Sequence, residues 1–165
     1  MSLLTNPDRL LGPFLLAVGV GSLAFALIAQ YIFGLEPCLL CLVQRVPYAA
    51  VALIGGFLMV RKPGNLGLAR AAWIAVAIFA AGGLVAVYHT GVEQAWWASA
   101  VCGGPAPADM SFDAMMAGAT QKAAKSCDQV DWTLFGLSMA TYNIFVSFAL
   151  AAVTGLVAHR LGKSA

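Results

Sequence analysis

Three stretches of this chain carry no charged residue over lengths that water-soluble folds rarely show. They are the 26 residues between Arg9 and Glu36, the 22 between Arg70 and Glu93, and the 28 between Asp131 and Arg160. An α-helix rises about 1.5 Å per residue, so about 20 residues cross a bilayer core of roughly 30 Å, and each gap holds one span. Composition agrees, with 61% hydrophobic and 10% charged residues, far from the balance of a soluble domain. A fourth run, VPYAAVALIGGFLMV, has only 15 residues between Arg45 and Arg61. It becomes long enough only if Arg45 is drawn into the span.

The expected fold is therefore all-α: an integral membrane four-helix bundle forming a single domain over residues 1–165. Its spans are expected at about 11–33, 41–60, 71–90 and 136–158, with a long loop at 91–135. The first apolar run is too long for the core of a signal peptide, and no small-x-small cleavage site follows it. Gly82, Gly83 and the alanines of the third span allow close helix approach. Arg9, Arg61, Lys62, Arg70, Arg160 and Lys163 lie at the termini and in the second loop; only Lys122 and Lys125 lie in the third. The positive-inside rule then puts both termini in the cytoplasm and the first and third loops on the outer face. The net charge of +2 says little about a partner, and no nucleic-acid partner is expected.

All four cysteines, Cys38, Cys41, Cys102 and Cys127, fall on that outer face. In a bacterial inner membrane this face is the periplasm, where disulfides persist. Four cysteines allow three pairings, and sequence does not choose among them. Neighbourhood favours Cys38 with Cys41, which leaves Cys102 with Cys127. A bridge closing a long loop is a common stabiliser, so a structural role suits Cys102 and Cys127 as well as a redox role does. A bridge between Cys38 and Cys41 restricts almost no chain, and C-x-x-C more often marks a redox pair or half of a zinc site. A four-sulfur zinc site is the competing reading. It fits poorly, because Cys102 and Cys127 stand 25 positions apart rather than as a second close clip. No metal is expected.

Counting back from Arg61 puts Cys41 at the outer boundary and Arg45 about one turn below it. An arginine at that depth is costly and marks a functional site by default, although its stem could also snorkel to the headgroups. Cys38, Cys41 and Arg45 stand at i, i+3 and i+7, on one helical face. Pro37 suits a helix start. The helix terminus and Arg45 would both favour a thiolate at Cys41. An electron acceptor reached from the membrane boundary is lipid-soluble. A quinone fits, since its carbonyls accept hydrogen bonds that Arg45 can donate.

These features together resemble the DsbB family of bacterial inner-membrane thiol oxidases. The likeness lies in PCLLCLVQR at the mouth of the second span and YHTG ending the third. It continues through Cys102 and Cys127 in the long loop to DWTLFGLSM leading into the fourth span. The resemblance implies that Cys38 and Cys41 form the quinone-facing pair, with Cys41 the thiolate against the ring. It also implies that Cys102 and Cys127 form the pair that meets a periplasmic DsbA-like dithiol protein, with Cys102 making the mixed disulfide. Electrons would pass from that partner through both pairs to ubiquinone or menaquinone. Gln44 stands where some members carry an acid and is expected, with Arg45 and His89, around the quinone. The segment VCGGPAPADM is small and Gly/Pro-rich, so the partner-binding surface departs from the best-known members.

His89 closes the third span at the depth of Arg45, where it could bond a quinone carbonyl, carry a proton, or rest its polar edge in the headgroups. Trp96 and Trp97 suit an aromatic belt. In the long loop Phe112, Met115, Met116, Ala119 and Ala123 recur at helical spacing, which predicts a short helix on the membrane surface. Two other functions share parts of this pattern. A vitamin K epoxide reductase-like enzyme has comparable spans and cysteine pairs, but carries its C-x-x-C at the last span of the core bundle. A non-enzymatic membrane scaffold with two structural bridges is the other.

Overall fold

The computed structural model describes residues 6–99, 126–130 and 132–164. Cys102 and the surface helix expected over residues 112–123 lie outside them. In chain order the elements are α1 (Pro7–Tyr31), α2 (Leu39–Val43), α3 (Arg45–Arg61), α4 (Asn65–Glu93), β1 (Thr133–Leu134), β2 (Leu137–Ser138) and α5 (Met139–Lys163). Among the described residues four helical runs are long and apolar enough to cross a membrane, with α2 and α3 together making one run from Leu39 to Arg61. That run has 23 residues, which resolves the short fourth stretch: Arg45 lies inside it. The helices extend beyond the expected limits at several ends, because Arg9, Arg61 and Arg70 are helical rather than in loops. The second loop shrinks to residues 62–64, and Lys62 reverses the chain in a left-handed conformation (φ 44°).

The bundle is built as two antiparallel pairs, α1 against α3 and α4 against α5, with slighter contact between α1 and α5. Backbone approach explains the first pair. A Cβ at Gly19 would sit 2.5 Å from the Tyr48 carbonyl oxygen and 2.6 Å from the Ala52 Cβ, and one at Gly55 would meet the Leu16 backbone. Small residues let α4 and α5 pack in the same way. The buried seam of α4 runs Leu68, Ala72, Ala75, Phe79, Gly82, Ala86, His89. These positions alternate steps of four and three, the spacing that keeps one stripe facing a partner helix. The core of Leu11, Leu15, Val51, Phe79, Val157 and Leu161 lies where the pairs meet. Leu53, Phe57, Val60 and Leu84 point outward and are well exposed, as expected of residues that face lipid. Asn65 Nδ2 donates to the Ser164 carbonyl at 3.0 Å and ties α4 to α5 at the end away from the cysteines.

Among the described residues the one departure from all-helical architecture is a two-residue antiparallel hairpin pairing Thr133 with Ser138 and Leu134 with Leu137. Gly136 turns it at φ +78°. It delivers Ser138 as the N-cap of α5, with its hydroxyl accepting from Thr141 N at 3.2 Å. The other end of the site is shaped by the C-terminus of α4. Ala95 is left-handed (φ 56°), its N–H bonds the Val92 carbonyl at 3.1 Å, and Trp96 N–H bonds the Gly91 carbonyl at 2.9 Å. This is the Schellman arrangement. It folds Trp97 back, where it stacks on Tyr88 with ring centroids 6.0 Å apart.

Candidate active site

Cys38 is the N-cap of α2, held extended after Pro37, and its sulfur accepts the Cys41 backbone N–H at 3.2 Å. The helix-terminal amide thus acts on Cys38, not on Cys41 as the sequence suggested. Cys38 and Cys41 are free thiols, so the bridge expected between them is not formed here. The helix breaks after five residues at Gln44. Pro47 has no N–H to offer the Val43 carbonyl, and its ring crowds that oxygen. The restart at Arg45 leaves Cys41, Gln44 and Tyr48 in register on the inward side.

A chain of buried polar groups runs inward from Cys38. Its sulfur lies 3.5 Å from His89 Nε2. The same nitrogen is 3.7 Å from Glu93 Oε1, and Glu93 accepts a hydrogen bond from the Ser138 hydroxyl. On the far side of the ring, the Gln44 amide N–H donates to His89 Nδ1 at 2.8 Å. Gln44 Oε1 accepts from Asn143 Nδ2 at 2.7 Å. Asn143 Oδ1 in turn accepts from the Tyr48 hydroxyl and, at 3.2 Å, from Ser147 Oγ. His89 and Gln44 are 3% and 9% exposed, so these bonds replace water that the groups lost on folding. With Nδ1 accepting, the neutral ring carries its proton on Nε2.

Cys38 is held well below the usual thiol range, chiefly by the Cys41 thiol donating to its sulfur. The His89 imidazole and the Cys41 amide add to this, and burial opposes it. A depressed pKa gives a contribution to stability that is complete above the ordinary thiol range and fades as pH falls towards the lowered value. The thiolate ultraviolet absorbance of the protein is therefore expected to persist through neutral pH and to vanish only on acidification. A titration that loses the band near the ordinary thiol pKa of about 8.5 would contradict this environment.

Both thiols open onto a cavity of about 570 Å³ between α1 and α5, at the slight contact between the two helix pairs. Its walls are largely apolar, with Phe25 and Ala29 from α1 and Val146 from α5. Arg45 lines it too, and gives one hydrogen bond to Gln30 Oε1 at 2.7 Å. A guanidinium has five N–H donors, so donors remain for a ligand in the cavity. The polar atoms converge at one end of an apolar chamber, the usual form of a small-molecule site.

Cys127 closes the other side. It is 1% exposed and disulfide-bonded. Its sulfur, Cys38 Sγ and His89 Nε2 all lie within 4.8 Å of one another. A disulfide sulfur is not a thiolate donor, and here it stands beside a free thiol and an imidazole. Of the residues singled out from sequence, the fold brings together Cys38, Cys41, Gln44, Arg45, His89 and Cys127. Glu93, Tyr48 and Asn143 were missed. Their signal was present in the α4 seam, whose next four-residue step after His89 lands on Glu93, and in α5, where Asn143 is four residues before the buried Ser147.

Residues 8–157 match the family described as disulfide bond formation protein DsbB. A disulfide bond formation protein B from Aromatoleum aromaticum is 34% identical over 150 residues, covering 87% of each chain. One from a Polaromonas species is 33% identical over 159 residues, covering 92% of this chain and 89% of its own. No solved structure matches. With a match over most of its length and relatives at 33–34% identity, the chain is a member of the DsbB family and a multi-pass membrane protein-disulfide oxidoreductase.

Proposed function

We propose that the protein reoxidises a periplasmic DsbA-like dithiol protein and passes the electrons to a membrane quinone, ubiquinone or menaquinone. The observation that carries this is the position of Cys38, which lies within 4.8 Å of the Cys127 sulfur on one side and beside the cavity shared by Cys41 and Arg45 on the other. In this reading the partner's dithiol reduces the disulfide between Cys102 and Cys127, and the partner leaves as a disulfide. Cys127 then attacks the Cys38–Cys41 disulfide at Cys38, and Cys102 displaces Cys38 to reform the loop bridge. This leaves Cys38 and Cys41 as thiols beside an oxidised Cys127, the combination described above. Each exchange is attack of a thiolate on a disulfide along the sulfur–sulfur axis.

A quinone supplies the sink: it takes two electrons and two protons as Cys38 and Cys41 close into a disulfide. The chamber suits such a ligand, with apolar walls for a ring and tail and Arg45 donors for a carbonyl oxygen. The setting is the bacterial inner membrane with both termini cytoplasmic, which puts the cysteines on the periplasmic side. The test is quinone reduction driven by a reduced dithiol protein, followed with the purified chain. One quinone is expected to be consumed per partner disulfide formed. Arg45→Met is expected to raise the half-saturating quinone concentration about tenfold, the loss of one charge-assisted hydrogen bond of about 1.5 kcal/mol. Absence of quinone consumption by the wild type would overturn the reading.

A further inference from the structure

We propose that the buried amides of Gln44 and Asn143, ended by the Tyr48 and Ser147 hydroxyls, are a two-state positioning device. They set which ring nitrogen of His89 carries the proton, and so whether Nε2 donates to the Cys38 sulfur or accepts from it. The inference deepens the thiol–quinone reading and rests on it.

In the arrangement described, Gln44 donates to Nδ1, so the Nε2 proton points towards Cys38 at 3.5 Å and Glu93 at 3.7 Å. A ring in that form can steady a Cys38 thiolate but has no lone pair at Nε2 with which to take the thiol proton. The opposite form needs an acceptor at Nδ1. Turning the Gln44 amide over presents its carbonyl oxygen to Nδ1 and its NH2 to Asn143. Turning Asn143 over in the same sense meets that NH2 with a carbonyl oxygen and sends the Asn143 NH2 towards the two hydroxyls.

The ends of the chain permit this reversal. A hydroxyl donates or accepts by rotating its hydrogen. In the first state Tyr48 and Ser147 both donate to Asn143 Oδ1. In the second both accept from the Asn143 NH2, and Tyr48 turns its hydrogen to Ser147 Oγ, 3.4 Å away. Every amide group in the chain is paired in both states, so neither carries the penalty of an orphaned buried donor. At the other end Nε2 faces the Glu93 carboxylate at 3.7 Å, which favours the Nε2–H form and makes the second state the minor one.

The proton balance is simple. The two states are tautomers of one neutral imidazole: Nε2 gives its proton to water reaching the ring through the cavity and Nδ1 takes one from that water, so the exchange adds no charge. In the second state a Cys38 sulfur that has gained a proton on acidification can pass it to Nε2, leaving a thiolate and an imidazolium with no electron transferred. The ionisable groups in contact with the ring are Cys38 from the N-cap of α2 and Glu93 from α4 itself, and those that share the cavity with it are Glu36, Cys41, Arg45 and Tyr48, with Tyr142 from α5. The groups facing the chain from α5 are uncharged.

The test reads the tautomer directly by nitrogen-15 NMR of the histidine ring in detergent. Wild-type protein is compared with Asn143→Asp and Asn143→Leu. The chain has two histidines, so His159→Gln, an exposed position, leaves one signal. The neutral ring is expected as the Nε2–H form in the wild type. In Asn143→Asp the new carboxylate only accepts, so it takes the Gln44 NH2 and turns the Gln44 oxygen to Nδ1. The tautomer ratio is expected to swing towards Nδ1–H by about tenfold or more, the effect of one buried hydrogen bond. Asn143→Leu cuts the chain and is expected to give a mixture. An Nε2–H ring unchanged in whichever of these variants folds overturns the device. Because the signal requires no turnover, that result stands apart from any failure of quinone reduction.

Discussion

With Cys41 replaced by serine, dithiol-driven quinone reduction is expected to fall by about a thousandfold or more, as when a covalently acting residue is removed. The protein is also expected to accumulate a disulfide between Cys38 and Cys127. The reason lies in the sulfur positions. Cys38 has two possible disulfide partners: Cys41, whose backbone N–H already reaches its sulfur at 3.2 Å, and Cys127, whose sulfur lies within 4.8 Å. In the proposed cycle Cys41 returns Cys38 to a local disulfide and hands the electrons on towards the cavity. Without Cys41 that exit is closed. The lowered pKa of Cys38 rests first on the Cys41 thiol, and a serine hydroxyl can donate in its place, so Cys38 remains a nucleophile. Peptide mapping without reductant is the measurement. Finding the reverse, a trapped Cys41–Cys127 bridge in the Cys38→Ser variant and none in Cys41→Ser, would exchange the roles of the two thiols.

The second large effect concerns the scaffold. Gly55→Val is expected to destabilise the protein by about 3 kcal/mol, the upper part of the range for overpacking, whereas Gly56→Val should be close to neutral. The two glycines are neighbours in α3 and differ only in what they face. A Cβ at Gly55 would run into the Leu16 backbone amide and lie 2.7 Å from the Gly12 carbonyl oxygen, while one at Gly56 meets nothing within 4 Å. The obstacle at Gly55 is backbone, which cannot rotate aside as a side chain can. Separating α1 from α3 would also alter the cavity, because α1 supplies Phe25, Ala29 and the Gln30 that holds Arg45. Thermal unfolding in detergent compares the pair, and equal losses at the two positions would remove helix contact as the cause.

Much of this was legible without coordinates. Charge-free runs longer than a bilayer core specify spanning helices almost regardless of context, since an unpaired backbone group in lipid has no other partner. The C-x-x-C at the start of the second run and the arginine seven residues after Cys38 marked the site for the same reason, because each is costly or idle there unless used. Local rules failed at the helix start. The sequence placed the helix-terminal charge on Cys41, but Cys38 takes the cap position, with extended backbone and its sulfur on the Cys41 N–H.

What the sequence determined by itself was the set of membrane-length helices and the residues able to carry redox chemistry, both of which follow from short-range composition and spacing. Tertiary structure alone decided which partners those residues have. Asn143 is 99 positions from Gln44, and His89 is 51 from Cys38; no periodicity along one helix states which seam will face which. That choice came from the glycines and alanines that let α1 close on α3 and α4 on α5, leaving between the pairs a chamber whose polar end could form only where all of them meet.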